Sequence, residues 1–315
     1  MKNIEQFVTE GINDTGELVG ALETAMRLEF ATLPPYLCAQ WSIDQDPDDV
    51  GSIIEGIAVQ EMYHFALAGN ILSAIGYLPQ IAYPGFLPKY PTNKLPGDIS
   101  QKLSVDLMPL TPEQLDVFMQ IENPQFNPVV IRPPEQELAE AVKAPATIGD
   151  FYDAVIEALK RLNPKFDPNA KSIVSGEAVP IKSIDDAIQA IMRIKDEGEG
   201  TPDSPAQGPS NQKSLAHFYL FQMIKAGKRY VLQNGKWVID TASNIQFPTV
   251  FKFGATVASS PSAVAFSKTL SDLLRSLETS WKTGGRPNIG LMANLQDSGT
   301  TLIKNGIRPD FTWSA

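Results

Sequence analysis

Two long stretches near the N-terminus, residues 15–41 and 51–76, repeat apolar side chains at intervals of three and four positions. This spacing is typical of a helix with one buried face. Joined by a short acidic loop, the two stretches predict an antiparallel helical pair. Pro34 and Pro35 are expected to bend or interrupt the first helix, because proline lacks the backbone N–H and clashes with the preceding turn. The periodic positions are Leu18, Leu22, Ala25, Glu29, Leu33 and Tyr36, followed by Ile54, Ile57, Ala68, Ile71 and Ile75.

Further helices are predicted along the rest of the chain, so the expected fold class is mostly α. Residues 183–199 and 214–226 would complete a set of four core helices, and helices at about 262–281 and 288–304 close the chain. We expect residues 1–315 to form a single domain with a long insert at 77–182.

The insert begins with a proline-rich stretch at 77–110, which predicts an irregular excursion of the kind that often covers a functional site. Shorter helices are predicted at 111–121 and 147–162, the second opened by Thr147 and Asp150 as a capping box. Ser183 and Asp186 open the next helix in the same way. A polar linker is expected at 201–213, and a hairpin at 231–239 turns at Asn234-Gly235.

Composition and charge narrow the function classes. The chain has 26 basic and 36 acidic residues, a net charge of −10, which argues against nucleic-acid binding. Its single cysteine, Cys38, excludes an intramolecular disulfide and a Cys-rich zinc or iron–sulfur site. No apolar run approaches the ~18 residues of a membrane span, and residues 1–10 carry no secretory signal. We therefore expect no membrane partner and a cytoplasmic protein.

Glu61 and His64 are the sharpest chemical signal, because they lie one helical turn apart on the apolar face of the second helix. Burying an unpaired carboxylate is costly, so such groups are usually neutralised by a cation. Glu29 lies on the apolar stripe of the first helix and would meet them. One alternative is a Glu and a His that only hydrogen-bond to their neighbours, and another is an ion pair of Glu29 with Arg27. A metal explains all three side chains together.

The second half of the chain is expected to supply the remaining ligands. His217 is the only other histidine and lies on the apolar side of its helix, but Ser214 stands where a bundle motif would place a glutamate. The missing acid is therefore sought at the end of the 183–199 helix. Helical rotation favours Glu199, with Asp196 as the alternate. The competing interpretation is a solvated acidic helix end.

Several segments together resemble the ferritin-like family named for iminophenyl-pyruvate dimer synthase. They are residues 28–37 (LEFATLPPYL), 60–64 (QEMYH), 68–72 (AGNIL), 198–202 (GEGTP), 217–221 (HFYLF) and 308–313 (RPDFTW). The resemblance implies a ferritin-like helical bundle with long irregular inserts, extra C-terminal helices and an embedded metal site. It places Glu29, Glu61 and His64 on the metal-binding pattern of the family, with Glu199 and His217 as further matches.

The resemblance also implies chemistry. Named relatives couple imine forms of aromatic 2-oxo acids oxidatively in pigment biosynthesis. The leading hypothesis is thus a non-haem oxidoreductase that uses dioxygen on a small organic substrate, such as an amino-acid-derived imine or 2-oxo acid. Carboxylate-rich ligands favour iron, with manganese as a competitor. Because a second Glu-x-x-His is lacking, one metal and two metals both stay open. The sequence also leaves a homo-oligomer open. The alternatives are ferroxidase-type iron handling and a non-enzymatic metal-binding or scaffold protein.

Overall fold

The computed structural model describes residues 2–99, 103–126, 146–202, 204–208, 211–254 and 260–314. Helices dominate this part of the chain, and the few strands form three antiparallel pairs, β1 with β6, β2 with β3 and β4 with β5. The helices are α1 (Ile4–Glu10), α2 (Thr15–Trp41), α3 (Val50–Ala74), α4 (Pro112–Ile121), α5 (Ile148–Leu162), α6 (Ile184–Glu199), α7 (His217–Ala226), α8 (Pro261–Thr283) and α9 (Gly290–Lys304). The strands are β1 (Ile43–Gln45), β2 (Ala206–Gln207), β3 (Asn211–Leu215), β4 (Arg229–Gln233), β5 (Lys236–Asp240) and β6 (Thr249–Val250).

The long helices α2 and α3 pack against each other at the centre of the structure. Helix α2 runs through Pro34 and Pro35 without the interruption that was one of the two expected effects of these prolines. Pro35 cannot donate to the carbonyl of Ala31, but the hydroxyl of Tyr90 donates to that oxygen at 2.6 Å instead. A side chain from the insert thus satisfies a backbone acceptor that proline leaves free.

The insert follows its prediction in outline. Its first part is irregular, with a short 3-10 turn at Pro96–Asp98, and α4 and α5 follow at nearly the predicted positions. The predicted capping box of α5 is confirmed, because Thr147 and Asp150 exchange side-chain and backbone hydrogen bonds. Ser183 caps α6 by accepting from the backbone N–H of Asp186.

Two local predictions need correction. The helix expected at 214–226 begins only at His217, and the expected polar linker at 201–213 contains β2 and the start of β3. The reason is pairing: Gln207 Nε2 donates to the Leu215 carbonyl, and the Ala216 N–H donates to the Pro205 carbonyl. These contacts hold residues 211–215 extended. The short helix α1 was not predicted at all.

The hairpin prediction is confirmed by β4 and β5, which pair in register from Arg229 and Asp240 inwards. Asn234 and Gly235 form the turn with φ values of 51° and 76°, the left-handed conformation that two-residue hairpin turns require. The C-terminal helices α8 and α9 also match their predicted ranges closely. No helix in the described ranges has the length and apolar character to cross a bilayer.

Asn70 of α3 ties α8 and the segment before α6 to the central pair. Its side-chain amide donates to the carbonyls of Ile173 and Val179 at 2.8 and 2.9 Å. Its oxygen accepts from the Ile173 N–H and from Trp281 Nε1, both at 2.8 Å. All four hydrogen-bonding positions of this fully buried amide are therefore occupied.

Replacing Asn70 with leucine should lower the free energy of unfolding by about 3 kcal/mol, because several buried groups would lose their partner at once. Ser73→Ala, one turn along α3, removes a single exposed hydrogen bond to Lys171 and should cost about 1 kcal/mol or less. Urea denaturation of both variants measures the difference. Equal losses would show that the Asn70 network contributes no special stability.

Candidate metal centre

The candidate centre begins with one buried turn of α3. Glu61 and His64 are only 2% and 1% exposed, and they project from the same helical face as the buried residues Ile57 and Ala68. This face points between the helices, as the apolar periodicity predicts. A carboxylate and an imidazole therefore replace apolar side chains in the interior.

Glu29 from α2 joins this pair and forms a first triad. His64 Nδ1 lies 3.6 Å from Glu29 Oε2 and 3.5 Å from Glu61 Oε1. One ligand atom from each residue lies within 4.8 Å of the others, a spacing that could hold a metal ion. Arg27, the alternative partner of Glu29, instead donates to the Gly85 carbonyl at 3.1 Å.

A second triad consists of Glu61, Glu122 and His217, again with ligand atoms within 4.8 Å of one another. His217 is the first residue of α7, and its Nδ1 lies 2.9 Å from Glu61 Oε1 and 3.8 Å from Glu122 Oε2. The two imidazole rings lie 5.6 Å apart at an angle of 25°. Glu61 belongs to both triads, so its carboxylate stands between the two histidines.

Glu122 was not predicted as a site residue, although it interrupts an apolar helical stripe in the same way as Glu29. It follows α4 directly and continues the buried stripe of Leu115 and Phe118 at the four-residue interval. Glu122 is 8% exposed, and it accepts a hydrogen bond from the Tyr36 hydroxyl at 2.5 Å. Extending the apolar periodicity of α4 by one residue would have placed this acid inside.

The outer nitrogen of each imidazole is held by a second group. His64 Nε2 lies 2.8 Å from Glu197 Oε2, and Arg193 donates to the other oxygen of Glu197 at 2.7 Å. His217 Nε2 lies 3.0 Å from the side-chain oxygen of Gln60. Since each Nε2 faces an acceptor, a neutral ring carries its proton there and leaves Nδ1 free towards the carboxylates. Metal-ligating histidines are oriented in this way.

The sequence-predicted Glu199 lies outside both triads. It is buried beside a small cavity that adjoins the cluster, but its carboxylate accepts a hydrogen bond from the Gln125 backbone N–H at 2.5 Å. The alternate, Asp196, is half-buried and close to Gly208. The residue of α6 that contacts the cluster is Glu197, which lies between the two candidates. At about 100° per residue, Glu197 projects about 100° away from Asp196 and about 160° away from Glu199, so the packing of α6 turns a different face to the cluster from the one predicted.

Three hydroxyl groups orient the carboxylates from outside. Thr32 donates to Glu61 Oε2 at 3.1 Å, Tyr36 donates to Glu122, and Tyr152 of α5 donates to Glu29. Tyr63 and Tyr219 lie elsewhere: Tyr63 lines a different cavity, and Tyr219 packs on Phe218 and Tyr230.

Burial and mutual charge displace the pKa values of the cluster. Burial, followed by the charge of Glu61, raises the pKa of Glu29 to about 7 and also raises that of Glu122. Burial opposes ionisation of Glu61 as well, but the two histidines outweigh it and hold the pKa of Glu61 well below its usual range. Burial alone would lower the pKa of His217, yet Glu122 and Glu61 raise it to about 9. The pKa of His64 is likewise raised, by Glu197, Glu29 and Glu61.

These residues fit a divalent metal on two observations. His217 Nδ1 is buried close to two carboxylates, yet among the described residues it makes no hydrogen bond of acceptable geometry. A metal ion bound between these groups would give this nitrogen the partner that it lacks. The donor set of carboxylate oxygens and imidazole nitrogens also suits iron or manganese. The cluster could hold two ions, one in each triad, with Glu61 shared.

A cavity of about 30 Å³ adjoins the cluster, room for one or two molecules of the size of water. Leu28, Ile121, Ile148 and Ile194 give it an apolar wall, and Glu199 lies on its lining. The irregular segment 77–110, expected to act as a lid, contributes no described residue to this lining; its Phe86 instead packs on Phe30 and Phe65.

Comparisons with known proteins give a family and a fold. A family model described as Ferritin-like matches residues 22–226, a span that contains both triads. A crystal structure of a ferritin-like protein from Caulobacter vibrioides has a TM-score of 0.70 and 24% sequence identity, with 96% of this chain and 100% of that chain covered. At this identity the likeness concerns the fold alone. The chain has no match among curated proteins.

Metal binding should release protons. At pH 7 the metal-free centre holds both imidazoles protonated, because their pKa values are raised. A metal needs a free Nδ1 on each histidine and an ionised carboxylate at Glu29, whose pKa is raised to about 7. Filling both triads with Mn²⁺ should therefore release about two to three protons, and the affinity should rise between about pH 6 and 9. Calorimetric titration in phosphate and in Tris buffer measures the released protons.

His217→Gln is the matched variant for this titration and should release about one proton fewer than the wild type. Identical apparent binding enthalpies in buffers of different ionisation enthalpy would contradict the protonation of the two histidines.

Proposed function

The chain belongs to the ferritin-like family, and from this membership we propose that it is a metal-dependent oxidoreductase with a two-metal non-haem centre. The proposed ligands are Glu29, Glu61, His64, Glu122 and His217, with iron as the first choice and manganese as the competitor. The observation that carries the proposal is the pair of buried triads that share Glu61. Fully buried acids and imidazoles in this arrangement are costly without a cation.

The chain's own groups would prepare the site. Glu197 and Gln60 hold the two imidazoles with Nδ1 directed inwards, which fixes the tautomer needed for metal binding. Tyr152 and Tyr36 orient the carboxylates of Glu29 and Glu122 by donating to one oxygen of each. The apolar wall of the adjoining cavity keeps bulk water away from these groups.

Bound iron would supply the one-electron redox chemistry towards dioxygen that amino-acid side chains lack. The small cavity beside the cluster has room for dioxygen. Glu199, on its lining and outside both triads, would accept or return a proton through water held in this cavity. From the sequence resemblance we propose an amino-acid-derived imine or 2-oxo acid as the substrate class.

The proposed ligand set predicts how metal content responds to substitution. Glu61→Gln should abolish most metal binding because both triads lose their shared carboxylate, whereas Glu122→Gln should remove about one equivalent. Glu199→Gln is the matched control, since it makes the same acid-to-amide change at the same cavity but outside the triads. Elemental analysis after anaerobic Fe²⁺ loading gives the metal per chain.

Circular dichroism confirms that each of these variants is folded. Loss of metal in Glu199→Gln equal to that in Glu61→Gln would place a ligand at Glu199, as the sequence had suggested. A folded wild type that takes up no iron would contradict the proposed centre.

Dioxygen consumption separates an oxidoreductase from iron handling. For the iron-loaded protein we expect several equivalents of dioxygen to be consumed per chain when an aromatic 2-oxo acid and ammonia are added. The reason is that a catalytic centre returns to its starting state after each reaction and can react again. An oxygen electrode records the uptake, with the Glu61→Gln variant as the inactive control. Uptake that stops once the iron is oxidised, with or without the organic substrate, would favour ferroxidase activity instead.

A further inference from the structure

A second cavity, distinct from the one at the metal centre, lies between the central helices and the C-terminal pair. Its volume is about 390 Å³, within the range of about 300–1,000 Å³ that is usual for small-molecule sites. Helices α2 and α3 form one wall, α8 and α9 form another, and residues 173–178 contribute to it. None of the described residues that line it also lines the cavity at the metal centre.

The two cavities are separated by the way α3 presents its side chains. Glu61 and His64 face the cluster, whereas Met62, Phe65 and Ala66 face the second cavity. At about 100° per residue, one helix can carry both faces. The second cavity is therefore a site separate from the proposed metal centre.

The walls of this cavity are apolar and aromatic, and ring packing holds them in place. Phe30 and Phe65 meet edge to face at 5.0 Å, and Trp41 stacks on Phe311 at 6.0 Å with an angle of 16° between the rings. Leu273 of α8 is among the lining side chains opposite them. Water gains little in such a space because it finds few polar partners, and unfilled apolar space lowers stability because the lining atoms lose contacts. A ligand would restore those contacts.

The mouth of the cavity indicates the polarity of its ligand. Glu55, Ile289 and Gln296 line the cavity and are exposed, so they mark its solvent end. Glu55 is acidic, and no lysine or arginine occurs among the described lining residues. An anionic head group would be desolvated without a cationic partner and repelled by Glu55. The amides of Gln40 and Gln296 can hydrogen-bond an uncharged polar group.

We propose that this cavity binds an uncharged, largely apolar small molecule whose single polar group lies at the mouth between α3 and α9. Its apolar body would lie against the rings of Phe30, Trp41 and Phe65.

Displacement of N-phenyl-1-naphthylamine, an uncharged dye that fluoresces in apolar surroundings, tests the proposal on the full chain without added metal. We expect saturable binding, with 1-decanol competing at a concentration at least about tenfold lower than decanoate of the same chain length. Decanol should also raise the melting temperature, because it binds the native state. Absence of saturable dye binding, or stronger competition by decanoate, would overturn the proposal.

Variants locate the binding. Ala66→Phe adds a ring inside the cavity and should weaken dye binding by at least about tenfold, and Leu277→Trp fills the same space from α8 if the first variant does not fold. Ala265→Phe, the same change on the exposed face of α8, should leave the affinity within about twofold. Glu55→Lys should improve competition by decanoate relative to decanol by at least about threefold. Equal dye binding by the filled and control variants would place the site elsewhere and overturn the assignment.

Discussion

Burial of the Glu61 carboxylate between two imidazoles is the constraint on which the rest of the structure depends. Glu61 belongs to both triads, and its negative charge repels the carboxylates of Glu29 and Glu122. Protonation of these two acids relieves the repulsion only in part. Neighbouring side chains offset the cost of burying these charges with hydrogen bonds. Thr32, Tyr36 and Tyr152 donate hydroxyl hydrogen bonds to the carboxylates, while Glu197 and Gln60 hold the outer nitrogens of the histidines. Such a network is stable when every member is satisfied and costly when one is missing, which is why a resident cation is the natural completion of the site.

The bundle divides its chemistry between two faces of the same helices. On one face, α2 and α3 carry the acids and the imidazole of the first triad. On the adjacent face they carry aromatic and aliphatic side chains that line the larger cavity against α8 and α9. Asn70 and Trp281 join these layers through a buried hydrogen bond, so the position of α8 is set from the same helix that supplies Glu61 and His64. Helix α3 therefore contributes residues to the walls of both sites.

Periodicity revealed those parts of the site that lie on long helices. Glu29, Glu61 and His64 interrupt apolar stripes, and the structure brings all three together, as it does His217; their role as ligands stays a prediction. Glu122 obeyed the same rule but stood at the very end of a ten-residue helix, where the pattern is short and its last member is easily left out. Periodicity does not predict which of Glu197 and Glu199 contacts the cluster. Both are buried, and only the packing of α6 decides that Glu197 contacts His64 while Glu199 accepts from the backbone of Gln125.

What the sequence by itself determined was the mostly α class and the inward-facing acids of α2 and α3, because the helical repeat records which face is buried. The ferritin-like fold was implied by the resemblance of short segments to that family. The late start of α7 at His217, the uninterrupted course of α2 through its two prolines and the selection of Glu197 over Glu199 were decided by tertiary structure. Each depends on a partner outside its own helix: β2 pairs with residues 211–215 and holds them extended, the Tyr90 hydroxyl donates to the carbonyl freed by Pro35, and His64 of α3 contacts Glu197. Local periodicity carries no information about such partners, since they meet only when the helices pack.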